Sequence, residues 1–106
     1  MSHFRDDLLA GRVAFITGGG SGICKGIAEA FVAHGAKVAL VGRTQERLDA
    51  AATEITATGG EALSVSADVR DPDRVAAAVA QTAERFGTID IVVNGAAGNF
   101  PALPER

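Results

Sequence analysis

The sequence predicts an α/β fold, a doubly wound parallel sheet with helices on both of its faces. Short, continuous apolar runs alternate along the chain with longer segments whose apolar residues recur at helical spacing. Strands separated by single helices pair in parallel, and right-handed crossovers place those helices on both faces of the sheet. A glycine cluster directly after the first apolar run agrees with this fold, because βαβ units place such loops between strand and helix.

The first strand and the first helix are predicted at 13–16 and 23–34. Residues 13–16 are all apolar, as in a strand that is covered on both faces. Gly35 directly follows the helical segment, and glycine readily adopts the left-handed conformation that ends a helix. The apolar residues that recur at helical spacing in this segment are Ile23, Ile27, Ala30 and Phe31.

The second strand and the second helix follow at once. Residues 38–41 form another buried-strand run, and Thr44 has the side chain of a helix N-cap. Two glycines, Gly59 and Gly60, end the helix. The residues that we expect on its inner face are Leu48, Ala51, Ala52 and Ile55.

A third strand at 63–67, a third helix at 72–86 and a fourth strand at 89–93 complete the pattern. Asp71 is a suitable N-cap for the third helix, because proline follows it at the first helical position. Gly87 ends this helix. We expect the strands to lie in the order 3-2-1-4, as in other doubly wound sheets.

Length and composition limit the organisation of the chain. Its 106 residues suffice for one domain, which we assign to 1–106. In the expected order the fourth strand is an apolar edge, and bare apolar edges favour association. We therefore expect that the domain is incomplete at its C-terminus and that the parent protein continues beyond residue 106.

Composition also argues against several classes of function. The net charge of −3, without a basic tract, argues against a nucleic-acid partner. The sequence contains no apolar run of the roughly 20 residues that a membrane span needs, so we expect no membrane partner. Cys24 is the single cysteine, which excludes an internal disulfide and a cysteine-rich metal site. We expect a reducing, cytoplasmic location and no metal ion.

The glycine cluster at 17–23 lies between the first strand and the first helix. Glycines permit a tight turn with positive φ and let backbone N–H groups approach a phosphate, and the helix N-terminus favours an anion. This context predicts a pyrophosphate site in a Rossmann-type domain, the alternative being a glycine-rich turn without a ligand. The residues that we expect to contact the cofactor here are Gly18, Gly20, Ser21, Gly22 and Ile23.

The end of the second strand predicts which dinucleotide is bound. An acidic residue there would bind the ribose 2′-OH of NAD, but position 42 is glycine and Arg43 follows it. A guanidinium group forms charge-assisted hydrogen bonds to a phosphate, so Arg43 favours NADP(H). The alternative is an ordinary surface arginine at the start of a helix.

Several motifs in register resemble the short-chain dehydrogenase/reductase family. The pattern Thr-Gly-x-x-x-Gly-Ile at 17–23 is similar to its cofactor motif, and the resemblance covers nearly all of residues 8–100. The resemblance implies that further residues contact the adenine and the cofactor ribose and support the active site. These residues are Asp68, Val69, Asn94 and Ala96. For Asp68, a plain turn at the end of a strand is the alternative.

The sequence departs from the family pattern at three places. Cys24 stands at the third glycine of the motif, and Gly95 replaces the second residue of the usual Asn-Asn-Ala-Gly. We expect Cys24 to be a small buried residue, with a redox role as the alternative. The chain also has no tyrosine, although the family's catalytic motif is Tyr-x-x-x-Lys. The catalytic residues are therefore unknown from these 106 residues.

The run Asn-Gly-Ala-Ala-Gly-Asn-Phe at 94–100 is similar to the 2,4-dienoyl-CoA reductase branch of the family. This resemblance implies that Arg43, Arg70 and Phe100 lie near an acyl-CoA substrate. Arginine suits the phosphates of CoA, and phenylalanine suits an acyl channel. The alternatives are a solvated arginine at position 70 and, at Phe100, a loop residue that covers the edge of the sheet.

We therefore expect the cofactor-binding part of an NADPH-dependent reductase that acts on an acyl thioester in fatty acid metabolism. A 3-oxoacyl reductase or alcohol dehydrogenase of the same family is one alternative. A non-catalytic NADP-binding module is the other, and the missing tyrosine favours it. The family resemblance implies a homotetramer.

Overall fold

Four parallel strands form the centre of the computed structural model, which describes residues 8–18 and 22–95. The strands are β1 (Val13–Thr17), β2 (Lys37–Gly42), β3 (Ala62–Ser66) and β4 (Ile91–Asn94). The helices between them are α1 (Gly22–Ala33), α2 (Gln45–Ala57) and α3 (Pro72–Phe86). The strands pair in the order β3-β2-β1-β4. The expected doubly wound α/β fold and strand order are confirmed.

The apolar runs of β1 and β2 are buried because helices cover both faces of the sheet. Ile16 and Leu40 belong to the cluster on the α1 and α2 face, together with Leu48 of α2. Phe15 and Val41 belong to the cluster on the opposite face, where α3 packs. Neighbouring residues of one strand thus enter different clusters, which explains why these strands are continuously apolar.

The helix ends follow the sequence signals with one exception. Gly35 and Gly87 have φ values of 99° and 93°, the left-handed conformation expected of them. The Asp71 side chain accepts hydrogen bonds from the first turn of α3, at 3.1 and 3.4 Å. Thr44 occupies the N-cap position of α2, but its side chain makes no capping hydrogen bond. The position of this cap was predicted correctly and its expected side-chain bond is absent.

The buried residues of α1 differ from the four apolar residues noted at helical spacing. Ile23 is 80% exposed and Ala30 is also exposed, whereas Cys24 and Ala28 are buried. Small side chains on the inner face let the helix backbone approach the sheet closely. Phe31 packs at the border of the cluster, so the larger apolar residues flank this contact.

The later strands are shifted slightly from their expected positions. β3 ends at Ser66, and Ala67, expected as its last residue, follows the strand and is 5% exposed. β4 begins at Ile91 because Asp90 interrupts the apolar run, and the Asp90 carboxylate accepts a hydrogen bond from the backbone N–H of Val13 at 2.9 Å. None of the helices that the structure describes is long and apolar enough to cross a membrane.

Candidate functional site

A cavity of about 360 Å³ lies at the carboxyl edge of the sheet. Three of its lining residues, Gly18, Gly42 and Ala67, lie at the ends of β1, β2 and β3. Ligands of doubly wound proteins bind in the crevice outside the carboxyl ends of the strands. The polar and charged residues of the lining are Arg43, Thr44, Arg47, Asp68 and Arg70.

The glycine cluster at 17–23, which we call the glycine turn, begins at this cavity. Gly18 has a φ of 77° and its N–H donates to the carbonyl oxygen of Val41 at 2.6 Å, which ties the start of the turn to β2. Gly22 opens α1, and a Cβ atom there would meet no described atom within 4 Å. The described residues therefore leave the helix start open on this side, with the exposed Ile23 next to it. Gly20 and Ser21 lie outside the described residues.

The Arg43 backbone is fixed by the ends of two strands. The N–H of Ala67 donates to the carbonyl oxygen of Gly42 at 2.7 Å. The Ser66 hydroxyl donates to the carbonyl oxygen of Arg43 at 3.4 Å. The Arg43 side chain is exposed and lines the cavity. A neighbouring cavity of about 370 Å³ shares Arg43 and Asp68 and adds Arg74.

Asp68 and Arg70 form a two-pronged ion pair beside this arginine. The Arg70 Nε and Nη2 atoms donate to the two Asp68 carboxylate oxygens at 3.1 and 3.0 Å. The Arg70 backbone N–H adds a third hydrogen bond, at 2.9 Å. These bonds lower the pKa of Asp68 to about 2, the side-chain bond from Arg70 being the main cause. Asp68 is thus ionised at neutral pH, and Arg70 offsets its charge.

Arg47 is the charged residue of the cavity lining that the sequence reasoning missed. It lies in the first turn of α2 and lines the cavity with Arg43. A cation is unfavourable in the first turn of a helix because of the helix dipole, and this misplaced charge was the available signal. Among the described residues of the lining, three guanidinium groups accompany a single carboxylate, so the cavity is electropositive.

Asn94 lies on the other side of β1, at the end of β4. The Thr17 hydroxyl donates to the Asn94 Oδ1 atom at 3.1 Å, and the Gly95 N–H donates to the Thr17 carbonyl oxygen at 3.2 Å. These bonds hold Asn94 beside Thr17, at the start of the glycine turn. Asn94 is not among the residues that line the cavity of Arg43 and Arg47, which we call the arginine cavity. Ala96 and Phe100 lie outside the described residues.

The structure thus brings five of the predicted residues together in one cavity and places Asn94 across β1. The five are Gly18, Arg43, Asp68, Val69 and Arg70. Cys24 lies in the first turn of α1, is 4% exposed and belongs to the cluster on the α1 and α2 face, so it is a small buried residue as expected. Among the described residues, no group of three or more His, Cys, Asp and Glu side chains could hold a metal ion.

A parallel sheet with a glycine turn and an electropositive cavity at its carboxyl edge is the arrangement of nucleotide-binding α/β proteins. Residues 12–105 match the short chain dehydrogenase family. The chain belongs to that family, as its motifs indicated.

Similar proteins agree with this assignment. A peroxisomal 2,4-dienoyl-CoA reductase of Rattus norvegicus is 52% identical over 98 residues, which are 92% of this chain and 34% of that protein. A citronellol catabolism dehydrogenase of Pseudomonas aeruginosa is 41% identical with a TM-score of 0.82, over 88% of this chain and 39% of the other. The L-sorbose reductase of Gluconobacter frateurii, solved with NADPH and L-sorbose, is 41% identical with a TM-score of 0.77, over 82% and 34%. The chain spans about a third of the length of the curated relatives that it matches.

Proposed function

We propose that the protein is an NADP(H)-dependent reductase and that residues 1–106 are the cofactor-binding part of its domain. The pair of arginines at the end of β2 carries this proposal. Arg43 and Arg47 line one cavity with Gly18 of the glycine turn, and the acidic residue that would select NAD is replaced by Gly42. Two guanidinium groups suit a ribose 2′-phosphate.

The residues on both sides of β1 fit the parts of a dinucleotide. In this proposal the pyrophosphate lies at the start of α1, near Gly18, Gly22 and Ile23, with Gly20 and Ser21 in the same turn. Asp68 and Val69 contact the adenine, and Asn94 and Ala96 lie on the nicotinamide side. The open space in front of Gly22 supports this placement. The bound nicotinamide supplies the hydride, and the chain orients it.

The proposed substrate is a fatty acyl-CoA thioester of the 2,4-dienoyl type. The names of relatives that are 43–52% identical support this class. Arg70 is bonded to Asp68 and lines the same cavity as Arg43, which supports a cofactor role for Arg70 over a substrate role. Phe100 stays a proposed substrate contact. In the proposal, the proton donor lies beyond Arg106.

Two alternatives remain in the proposal. The same cofactor site would serve a 3-oxoacyl reductase or an alcohol dehydrogenase, because the substrate-binding part distinguishes these enzymes. A module that binds NADP(H) without turnover is the second alternative. The cytoplasmic location stays a prediction, since the names of the relatives place those proteins in peroxisomes. The homotetramer also stays a prediction.

Titration and turnover of the complete protein test the proposal. We expect NADPH to bind more tightly than NADH, and we expect NADPH oxidation with 2,4-dienoyl-CoA but not with 3-oxoacyl-CoA. Equal affinity for the two cofactors would contradict the role of the arginine pair. Binding without turnover of either substrate would support the non-catalytic module.

A further inference from the structure

Two of the departures from the family motif meet in the structure. Cys24 occupies the position of the third glycine in the cofactor motif of the family. Gly95 occupies the position of the second asparagine in the usual Asn-Asn-Ala-Gly. A Cβ atom at Gly95 would overlap the Sγ atom of Cys24 and would lie 2.9 Å from the carbonyl oxygen of Thr17. Real Cβ atoms essentially never come this close to another heavy atom, so a side chain at position 95 requires both neighbours to shift. The overlap with the Cys24 thiol is the larger obstruction, and the Thr17 carbonyl oxygen is a smaller one that does not depend on Cys24.

We propose that these two departures are one reciprocal exchange and that Cys24 is a positioning residue for the cofactor site. The family pattern has no side chain at position 24 and a side chain at position 95. This chain has the reverse, and the thiol fills the space in front of Gly95. The exchange keeps the volume between α1 and the end of β4 filled, as close packing requires.

The contact joins three segments of the proposed site. Cys24 lies in the first turn of α1 and directly follows the glycine turn. Gly95 follows β4, and its N–H donates to the Thr17 carbonyl oxygen at 3.2 Å. The Thr17 hydroxyl in turn donates to Asn94 at 3.1 Å. A side chain that forced Cys24 and Gly95 apart would displace the end of β4 from the start of α1.

This displacement affects one half of the proposed cofactor site. In the order β3-β2-β1-β4, the contact lies on the β4 side of β1, and the arginine cavity lies on the β2 and β3 side. A dinucleotide lies across the point where the strand order reverses, with one half on each side. The Cys24–Gly95 contact therefore positions the nicotinamide side. This consequence depends on the proposed function, whereas the exchange itself does not.

The sharpest test places alanine at position 95 in two backgrounds of the complete protein. Cys24→Ala removes Sγ and keeps the Cβ atom, which lies 3.7 Å from the new Cβ atom, an ordinary contact. We expect Gly95→Ala to weaken NADPH binding about tenfold or more when Cys24 is present, the usual consequence of overpacking. Part of this affinity should return in Cys24→Ala/Gly95→Ala, and the remaining loss reflects the Thr17 carbonyl oxygen, which still lies 2.9 Å from the new Cβ atom.

Gly26→Ala is the matched control. This glycine lies in the same helix, and a Cβ atom there would meet no described atom within 4 Å. We expect this variant to keep the cofactor affinity of the unmodified protein. Cys24→Ser keeps nearly the same volume without the thiol and should also keep it, because the proposed role is spatial.

A smaller ligand separates local positioning from loss of the fold. Adenosine 2′,5′-bisphosphate has the adenine half of NADP without the nicotinamide. We expect Gly95→Ala to leave its affinity unchanged within about twofold while NADPH binding falls. An equal loss for both ligands would overturn the positioning role, because it would indicate a general loss of structure.

Melting temperatures test the exchange independently of any cofactor. Gly95→Ala should lower the melting temperature more in the Cys24 protein than in the Cys24→Ala protein. The same decrease in both backgrounds, or unfolded protein in both, would overturn the exchange. If the unmodified protein bound neither NADPH nor the bisphosphate, the proposed function and the positioning role would fail, and the melting temperatures would still decide the exchange.

Discussion

Arg43 directly follows β2, Arg47 lies in the first turn of α2, and both line the same cavity. We expect Arg47→Ala to weaken NADPH binding about tenfold and to leave NADH binding unchanged, because a charge-assisted hydrogen bond to the 2′-phosphate is lost. Arg43→Glu should reverse the preference towards NADH, since a carboxylate binds the ribose 2′-OH and repels a phosphate. Fluorescence titration with both cofactors measures these affinities.

Arg85→Ala is the control for this experiment. Arg85 is in the last turn of α3 and belongs to the described lining of neither cavity. Its removal should leave both affinities unchanged. If Arg47→Ala weakened NADPH and NADH binding equally, the role of Arg47 in selecting the cofactor would be disproved.

The Asp68–Arg70 pair makes a prediction about pH dependence. The pKa of Asp68 is about 2, below the ordinary value of about 4. A carboxyl group whose pKa is lowered by folding stabilises the folded state above its unfolded pKa, and this stabilisation is lost as the pH falls from about 4 to about 2. Arg70→Gln should raise the pKa of Asp68 towards the ordinary value and weaken this dependence.

Carboxyl NMR titration measures this pKa directly. Asp49 is an internal control, because hydrogen bonds from Ser64 and Gln45 lower its pKa and Arg70 is not among the causes. We expect the pKa of Asp49 to stay constant in Arg70→Gln. An Asp68 pKa that also stayed constant would show that the ion pair does not set it.

At the scale of elements, the two helix caps allow a matched comparison. Asp71 accepts hydrogen bonds from the N–H groups of Asp73 and Arg74, whereas the Thr44 side chain makes no capping bond. Asp71→Ala should lower the free energy of unfolding by about 1 kcal/mol, and Thr44→Ala by only a few tenths. Urea denaturation of both variants measures the difference, and equal losses would contradict the cap assignment.

Local sequence signals predicted the elements better than the faces that they bury. Continuous apolar runs indicated β1 and β2 because both of their faces are covered. Helical spacing alone did not identify the buried residues of α1, because close contact with the sheet favours the smaller Cys24 and Ala28 at the interface. Burial in a helix depends on the shape of the surface it meets, which hydrophobic spacing alone does not contain.

Site residues were predictable where a motif fixes their position relative to a strand end. Arg43 directly follows β2 and Asp68 lies two residues after the end of β3, so the strand order alone brings them together. Arg47 required the orientation of α2, which packing of the buried Leu48 sets. The meeting of Cys24 and Gly95 required the three-dimensional structure, because they are far apart in sequence and no motif links them.

At the scale of the whole molecule, the described part of the sheet has an uncovered apolar edge at β4. This strand pairs with β1 on one side. Val92 lies in register with Phe15, yet it is 62% exposed whereas Phe15 is 3% exposed. The apolar residues that suggested a strand flanked on both sides are therefore only partly covered by the described residues.

We expect the 106-residue chain, produced alone, to self-associate through β4, because unpaired backbone groups and apolar side chains template strand pairing. Val92→Lys should shift the chain towards monomer, since lysine blunts sheet edges. Val79→Lys, at a valine of α3 that is 39% exposed, should leave association unchanged. Sedimentation velocity over a range of concentrations measures the effect. A monomeric unmodified chain at every concentration would contradict this prediction, and it would mean that β4 needs no further strand beside it.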